Sequence, residues 1–207
     1  MDRESKNEIS KERILMAALE EFGQNDFNTA STNTMCKNHQ ISKGLLFHYY
    51  KNKDEIFLLC VKKCFTDLSN YLKNNYVKKE SVVEKNLNNY FKIRFNFFSE
   101  FPYYAQIFRT ATFNSPTHLI DDIRELKKTL RHTNEVILLD MLESIDIKEG
   151  FEKRNVAYTI LEFADYLQVK QRVKAEEVSE KEINMLFDEQ NKELINMITM
   201  LFYGVAK

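Results

Sequence analysis

Four glycines and two prolines are the only strong helix breakers spread over the 207 positions of this chain. Average usage would supply roughly 25 of the two together. Sandwiches and barrels need turn residues about every 8–12 positions, which this chain does not have. The glycine-rich phosphate loops of Rossmann and P-loop nucleotide binders are missing for the same reason. Hydrophobic residues make up 43% and charged residues 29%. That balance buries a core and still solvates a surface, so the expected fold class is all-α.

Helix signals recur along the chain. Ser5-Lys6-Asn7-Glu8 reads as a capping box, with Ile9, Ile14, Ala17, Ala18 and Phe22 following at helical spacing and Gly23 as a stop. Short elements start at Ser31 or Thr32 and at Ser42. Asn52-Lys53-Asp54-Glu55 opens a helix carrying Ile56, Leu59, Cys60, Leu68 and Leu72. Ser81-Val82-Val83-Glu84 opens another with Leu87, Phe91, Phe95 and Phe98. Pro102 and Pro116 suit first helical turns, where an N–H is not needed. A long helix is expected from Ser115 to about Ile145, with Gly150 near its end. Two amphipathic helices close the chain. One carries Ala157, Ile160, Leu161, Ala164 and Leu167. The other opens at Ser179-Glu180-Lys181-Glu182 and carries Ile183, Phe187, Leu194, Met197 and Leu201. About nine helices are expected, with no internal repeat.

The formal net charge is −1, so nothing global points to nucleic acid or membrane. Cys36, Cys60 and Cys64 form no C-x-x-C, which fits a reducing compartment. Cys60 and Cys64 are expected to be buried structural thiols. The first residues are charged throughout and lack the apolar core of a signal peptide. No apolar stretch is long enough to span a bilayer, so the expectation is a cytoplasmic protein without membrane contact. No H-E-x-x-H, G-x-S-x-G or glycine-rich loop is present. The chain is therefore expected to be no enzyme and to use no metal and no cofactor.

Charge is informative locally. From Phe27 to Lys53 there is no Asp or Glu, while Lys37, Lys43, Lys51, Lys53, His39 and His48 all fall there. An anionic partner favours such a stretch, because carboxylates near phosphate are repelled. Two short helices joined by a few residues, after a longer one, have the outline of a helix-turn-helix, whose second helix enters the major groove of DNA. In that second helix Leu46 and Tyr50, with Ile41 before them, face inward. Lys43, Gly44, Phe47, His48 and Tyr49 face outward.

These residues resemble the TetR family of transcriptional regulators. The matching positions are Arg13-Ile14-Leu15-Met16-Ala17-Ala18, Phe22, Phe27, Ser31-Thr32, Ile41-Ser42-Lys43-Gly44-Leu45-Leu46-Phe47-His48-Tyr49-Tyr50 and Lys51-Asn52-Lys53. The resemblance covers about residues 9–57. Departures are Asp26 and Gln40 where the family has glycine, Cys36 where it has alanine, and Phe47 where it has tyrosine. A left-handed backbone at Gln40 costs about 1–2 kcal/mol relative to glycine.

The resemblance implies a DNA-binding domain over residues 1–52 and a ligand-binding and dimerisation domain over 53–207. The implied DNA contacts are Thr32, Asn33, Ser42, Lys43, Gly44, Phe47, His48, Tyr49 and Lys53. Thr32 and Asn33 suit phosphates, Lys43 suits a guanine edge, and Lys53 suits a phosphate. Ten aromatics fall between Tyr90 and Phe113. The resemblance implies an effector pocket in this part of the fold, and the candidate lining is Cys64, Phe91, Phe95, Phe98, Tyr104, Phe108 and Met141. The expected function is a repressor of transcription. It would act as a homodimer through its two C-terminal helices on a near-palindromic double-stranded operator, released by a small, largely apolar ligand. The alternatives are a helical ligand-binding or interaction module without DNA, and a helical enzyme.

Overall fold

The computed structural model describes residues 3–77, 83–143, 145–175 and 180–205. Among them the chain forms nine α-helices and no strand: α1 (Arg3–Gln24), α2 (Thr32–Asn38), α3 (Lys43–Tyr49), α4 (Lys53–Asn75), α5 (Val83–Glu100), α6 (Pro102–Phe113), α7 (Ile120–Glu143), α8 (Lys153–Ala175) and α9 (Glu180–Val205). A single 3-10 turn, Thr117–Leu119, leads into α7. The described residues divide into two compact units. The first holds residues up to Asp67, Phe98–Ala111 and Ser115–Lys127, and the second holds Leu68–Phe97, Thr112–Asn114 and residues from Lys128 on. The boundary expected after residue 52 falls inside the first unit.

In the first unit, α1 buries Ile14, Ala17, Ala18 and Phe22. The first half of α4 buries Ile56, Phe57, Cys60, Val61, Cys64 and Phe65. Their spacing by threes and fours makes one apolar stripe on each helix. Phe57 packs on both Phe22 and Phe27, with ring centroids 5.2 and 5.1 Å apart. The Cys64 thiol donates to the Tyr104 carbonyl at 3.7 Å, and the Tyr104 hydroxyl donates to Asp67. Burial pushes the Cys60 and Cys64 thiols and the Tyr104 phenol upward from their ordinary values. All three cysteines are buried and unpaired with one another.

Gly23 is the next-to-last residue of α1, which ends at Gln24, so the expected stop falls within one residue of the helix end. A Cβ there would fall 2.5 Å from Tyr103 Cβ. The glycine marks the close approach of α1 and α6. Ser5 lies inside α1, because Arg3 and Glu4 before it are good helix formers and the helix runs through them.

In the second unit, Arg131 on α7 is paired with Glu162 at 2.6 Å and with Asp165, both on α8. Tyr90 donates its hydroxyl to Asn134 at 2.9 Å. Of the expected α5 stripe, Leu87 is buried, Phe91 and Phe98 are half-buried and Phe95 is 71% exposed, while Tyr90, Ile93 and Phe97 are buried on the Leu87 side. Both stripes have helical spacing, and Ile93 completes the inner one. The long helix expected from Ser115 begins only at Thr117, as the 3-10 turn, and α7 ends at Glu143. Gly150 sits beyond that end with φ 93, a left-handed loop position rather than a helix stop. Helices α8 and α9 pack together. The Ser81-Val82 and Ser179 parts of the expected caps, and the Ile183 and Phe187 side chains, lie outside the described residues. No described helix is long and apolar enough to cross a membrane.

Two outcomes are expected. Gly23→Ala should lower the urea midpoint by the equivalent of about 1–3 kcal/mol, as overpacking does. Raised thiol and phenol values mean that the folded chain holds protons which the unfolded chain releases. Stability should therefore be level below about pH 8.5. Above it, stability should fall by up to about 1.4 kcal/mol per pH unit per group, read from denaturation at pH 7, 8.5 and 10.

Candidate nucleic-acid interface

Helices α2 and α3 have seven residues each. Isolated helices shorter than about 12–15 residues are marginal in water, so both depend on caps and packing. Ser31 Oγ accepts from Thr34 N at 3.3 Å and Ser42 Oγ accepts from Leu45 N at 3.1 Å. Met35 and Cys36 on α2, Ile41 in the turn and Leu46 on α3 are buried, and α2 packs on α1 and on α3. Cys36, which stands where the family pattern has alanine, is buried as a free thiol.

The connection between α2 and α3 reverses the chain in four residues, His39 to Ser42. Gln40 makes it with φ 52, the only positive value at a non-glycine among the described residues. Its neighbour Ile41 then donates to the Cys36 carbonyl at 2.9 Å. Asp26 solves its own turn differently. Its Oδ1 accepts from the Thr29 N and Oγ1, both at 2.9 Å, so side-chain bonding replaces the glycine.

The outward face follows from the geometry of α3. Lys43 is its first residue and is exposed, as are Gly44 and His48. Phe47 is 47% exposed. Nothing lies within 4 Å of where a Gly44 Cβ would stand, so the backbone there is open to a close partner. Tyr49 is half-buried, edge-on to His48 at 5.0 Å, and its hydroxyl donates to Asn7 Oδ1 at 2.9 Å. Thr32 is the half-buried first residue of α2, and Asn33 beside it is exposed. Lys53 opens α4. Its ammonium lies 4.7 Å from the Phe27 ring centroid and donates to the Asn28 carbonyl at 3.4 Å. Asn52 Oδ1 accepts from Glu55 N at 2.9 Å, and Glu55 Oε2 accepts from Lys51 N at 2.8 Å, which fixes this start. Thr32, Asn33, Ser42, Lys43, Gly44, Phe47, His48, Tyr49 and Lys53 thus all sit on or beside the starts and outer surfaces of three short-spaced helices in the first unit.

Two supporting residues escaped the sequence reading. Glu21 is a buried carboxylate whose Oε1 accepts from the Ser31 N at 2.7 Å. It fixes the entry to α2 from α1. Asn7 lies upstream of the recognised motif, and nothing in a lone surface asparagine announces a contact 42 positions away.

The candidate ligand residues do not fall in one unit. Cys64, Phe98, Tyr104 and Phe108 belong to the first, where Phe98 and Phe108 lie 5.1 Å apart. Phe91, Phe95 and Met141 belong to the second. The second unit also holds an open cleft of about 360 Å³ lined by Lys73, Tyr76, His132, Thr133, Val136, Ile137 and Asp140.

Residues 14–60 match the family model of bacterial regulatory proteins, tetR family. Over those residues the chain is similar to the N-terminal module of that family. The tetR-type fold extends over nearly the whole chain. A transcriptional regulator from Cytophaga hutchinsonii aligns with TM-score 0.65 at 15% identity, covering 95% of this chain and 98% of that one. The regulator FadR from Bacillus subtilis, in complex with stearoyl-CoA, aligns with TM-score 0.60 at 18% identity, covering 89% and 97%. A TetR family regulator from Chloroflexus aurantiacus aligns with TM-score 0.54 at 17% identity, covering 97% and 94%. No curated protein sequence matches the chain.

Within this tetR-type module, Gln40→Gly should raise stability by about 0.5–1 kcal/mol. Relief of about 1–2 kcal/mol of left-handed strain is partly offset by the freedom glycine adds to the unfolded chain. Thermal unfolding of the two proteins side by side measures it.

Proposed function

We propose that this chain is a homodimeric, sequence-specific DNA-binding transcriptional regulator that represses until a small, largely apolar ligand releases it. The observation that carries the reading is the exposed, carboxylate-free face of α2 and α3. Lys43, Gly44, Phe47 and His48 stand outward there, with Lys53 beside them at the start of α4. A capped seven-residue helix with an open glycine and a partly bare phenylalanine suits entry into a major groove. In this reading Lys43 reads a base edge, and Thr32, Asn33 and Lys53 hold phosphates.

Dimerisation through α8 and α9 is supported by the apolar surface those helices leave uncovered. Tyr158, Tyr166 and Val169 on α8, and Met200 and Tyr203 on α9, are each more than half exposed. Leu194, Met197 and Leu201 are only half-buried in a single chain. Isologous packing of such a pair against its copy would cover them. Two recognition helices would then address the halves of a near-palindromic operator. The ligand shifts the equilibrium only by its differential affinity for the two dimer geometries. Because FadR from Bacillus subtilis was solved with stearoyl-CoA, long acyl compounds are the first effectors to screen. A cytoplasmic, non-enzymatic protein is the natural setting for this activity.

The test is selection of duplexes from a random pool, followed by binding titrations at several salt concentrations. Affinity should fall by about 10³–10⁵ between 50 and 200 mM salt if some six to ten phosphates are held. Lys43→Ala should relax sequence preference at one position. Lys53→Ala should weaken every duplex alike and lower the salt slope by about one. Failure to enrich any sequence would leave a helical ligand-binding module as the better reading.

A further inference from the structure

Helix α1 begins at Arg3, well before the matched tetR segment starts at residue 14. Its inner stripe explains where the early turns go. Asn7, Lys11, Ile14 and Ala18 are spaced by four, three and four, and so share one face. Ile14 and Ala18 on that face are fully buried in the first unit. Further toward the N-terminus the face leaves the core and passes along the end of α3. Lys11, on this face, has its ammonium paired with Glu8 at 2.9 Å. Asn7 reaches Tyr49 itself, and its Oδ1 accepts the phenol proton at 2.9 Å.

This bond sets the chemistry of both side chains. A phenol has one proton to donate, and Tyr49 gives it to Asn7 rather than to an outside acceptor. A carboxamide whose oxygen is engaged turns its two N–H donors to the other side. Asn7 is exposed, so those donors face solvent beside the end of the recognition helix.

We infer that Asn7 is a DNA-backbone contact of this protein, its amide oriented by Tyr49 so that the N–H group donates to a phosphate oxygen. The inference rests on the reading that α3 enters DNA. It makes Tyr49, one of the implied DNA contacts, a positioning residue for Asn7. The contact is neutral and sequence-independent.

The test uses the full chain, the selected operator duplex and an unrelated duplex, with Asn7→Ala, Asn7→Asp, Tyr49→Phe and the Asn7→Ala/Tyr49→Phe pair. Asn7→Ala should weaken both duplexes roughly tenfold, in line with a hydrogen bond to a charged group. The salt slope should stay unchanged, since no cation is lost. Asn7→Asp keeps the acceptor for Tyr49 but sets a carboxylate against the phosphate, so it should bind more weakly than Asn7→Ala. Tyr49→Phe added to Asn7→Ala should bring no further loss. Thermal melts should show the variants folded as the parent is, because Asn7 is a surface residue. Asn7→Asp binding as well as the parent would mean that the side chain only braces Tyr49, and would overturn the inference. So would parental affinity in Asn7→Ala, while an additive loss in the double variant would overturn the positioning role. If the unaltered chain binds no duplex at all, the DNA-binding reading falls, and this inference falls with it.

Discussion

Two helices of seven residues cannot hold themselves together in water, and most of the candidate interface is built from them. What they lack locally is supplied by α1. Its buried stripe of Ile14, Ala17, Ala18 and Phe22 gives Met35, Cys36, Ile41 and Leu46 a core to join. Its Glu21 carboxylate takes the Ser31 N–H and so fixes where α2 begins. A buried carboxylate is tolerated because it accepts a short hydrogen bond from the Ser31 N–H. The exposed residues of α2 and α3 are therefore rigidly placed although their own helices are short. Preorganisation of this kind lowers the ordering cost of binding.

The turn between α2 and α3 shows a second compromise. Gln40 holds a left-handed backbone that glycine would adopt without strain. Beside that strain, the turn lets the Ile41 N–H donate to the Cys36 carbonyl and buries the Ile41 side chain. At Asp26 the opposite solution appears, since a side-chain oxygen makes the turn that a glycine would otherwise make. Both departures from the family pattern thus leave the geometry of the module intact.

Much of the site was legible because it is local. Cap residues act three positions away, as Ser31 and Ser42 do. Inward and outward positions on α3 follow from its period, which put Leu46 in the core and Lys43, Phe47 and His48 outside. Long-range contacts were not legible. Asn7 meets Tyr49, Glu21 meets Ser31, and Gly23 meets Tyr103, and each pair depends on how one helix crosses another. Helix α5 shows the limit of periodicity. Its phenylalanines and its Tyr90–Ile93–Phe97 set both recur at helical spacing, and only the neighbouring elements choose between them.

The scarcity of glycine and proline, the helical periods and the serine caps settled by themselves that this chain is all-α and begins with a helix-turn-helix. These are properties of one residue and its neighbours within a turn or two. Tertiary structure decided what each exception is for. Gly23, beside the end of α1, is also a crossing point, Gly150 is a left-handed loop residue, and nothing lies within 4 Å of where a Gly44 Cβ would stand. It also decided that the first turns of α1 lie along the flank of α3, where Asn7 meets Tyr49. The reason is physical. A Cβ clash, a buried carboxylate or a phenol–amide bond needs two surfaces brought together, and a one-dimensional pattern records only one of them.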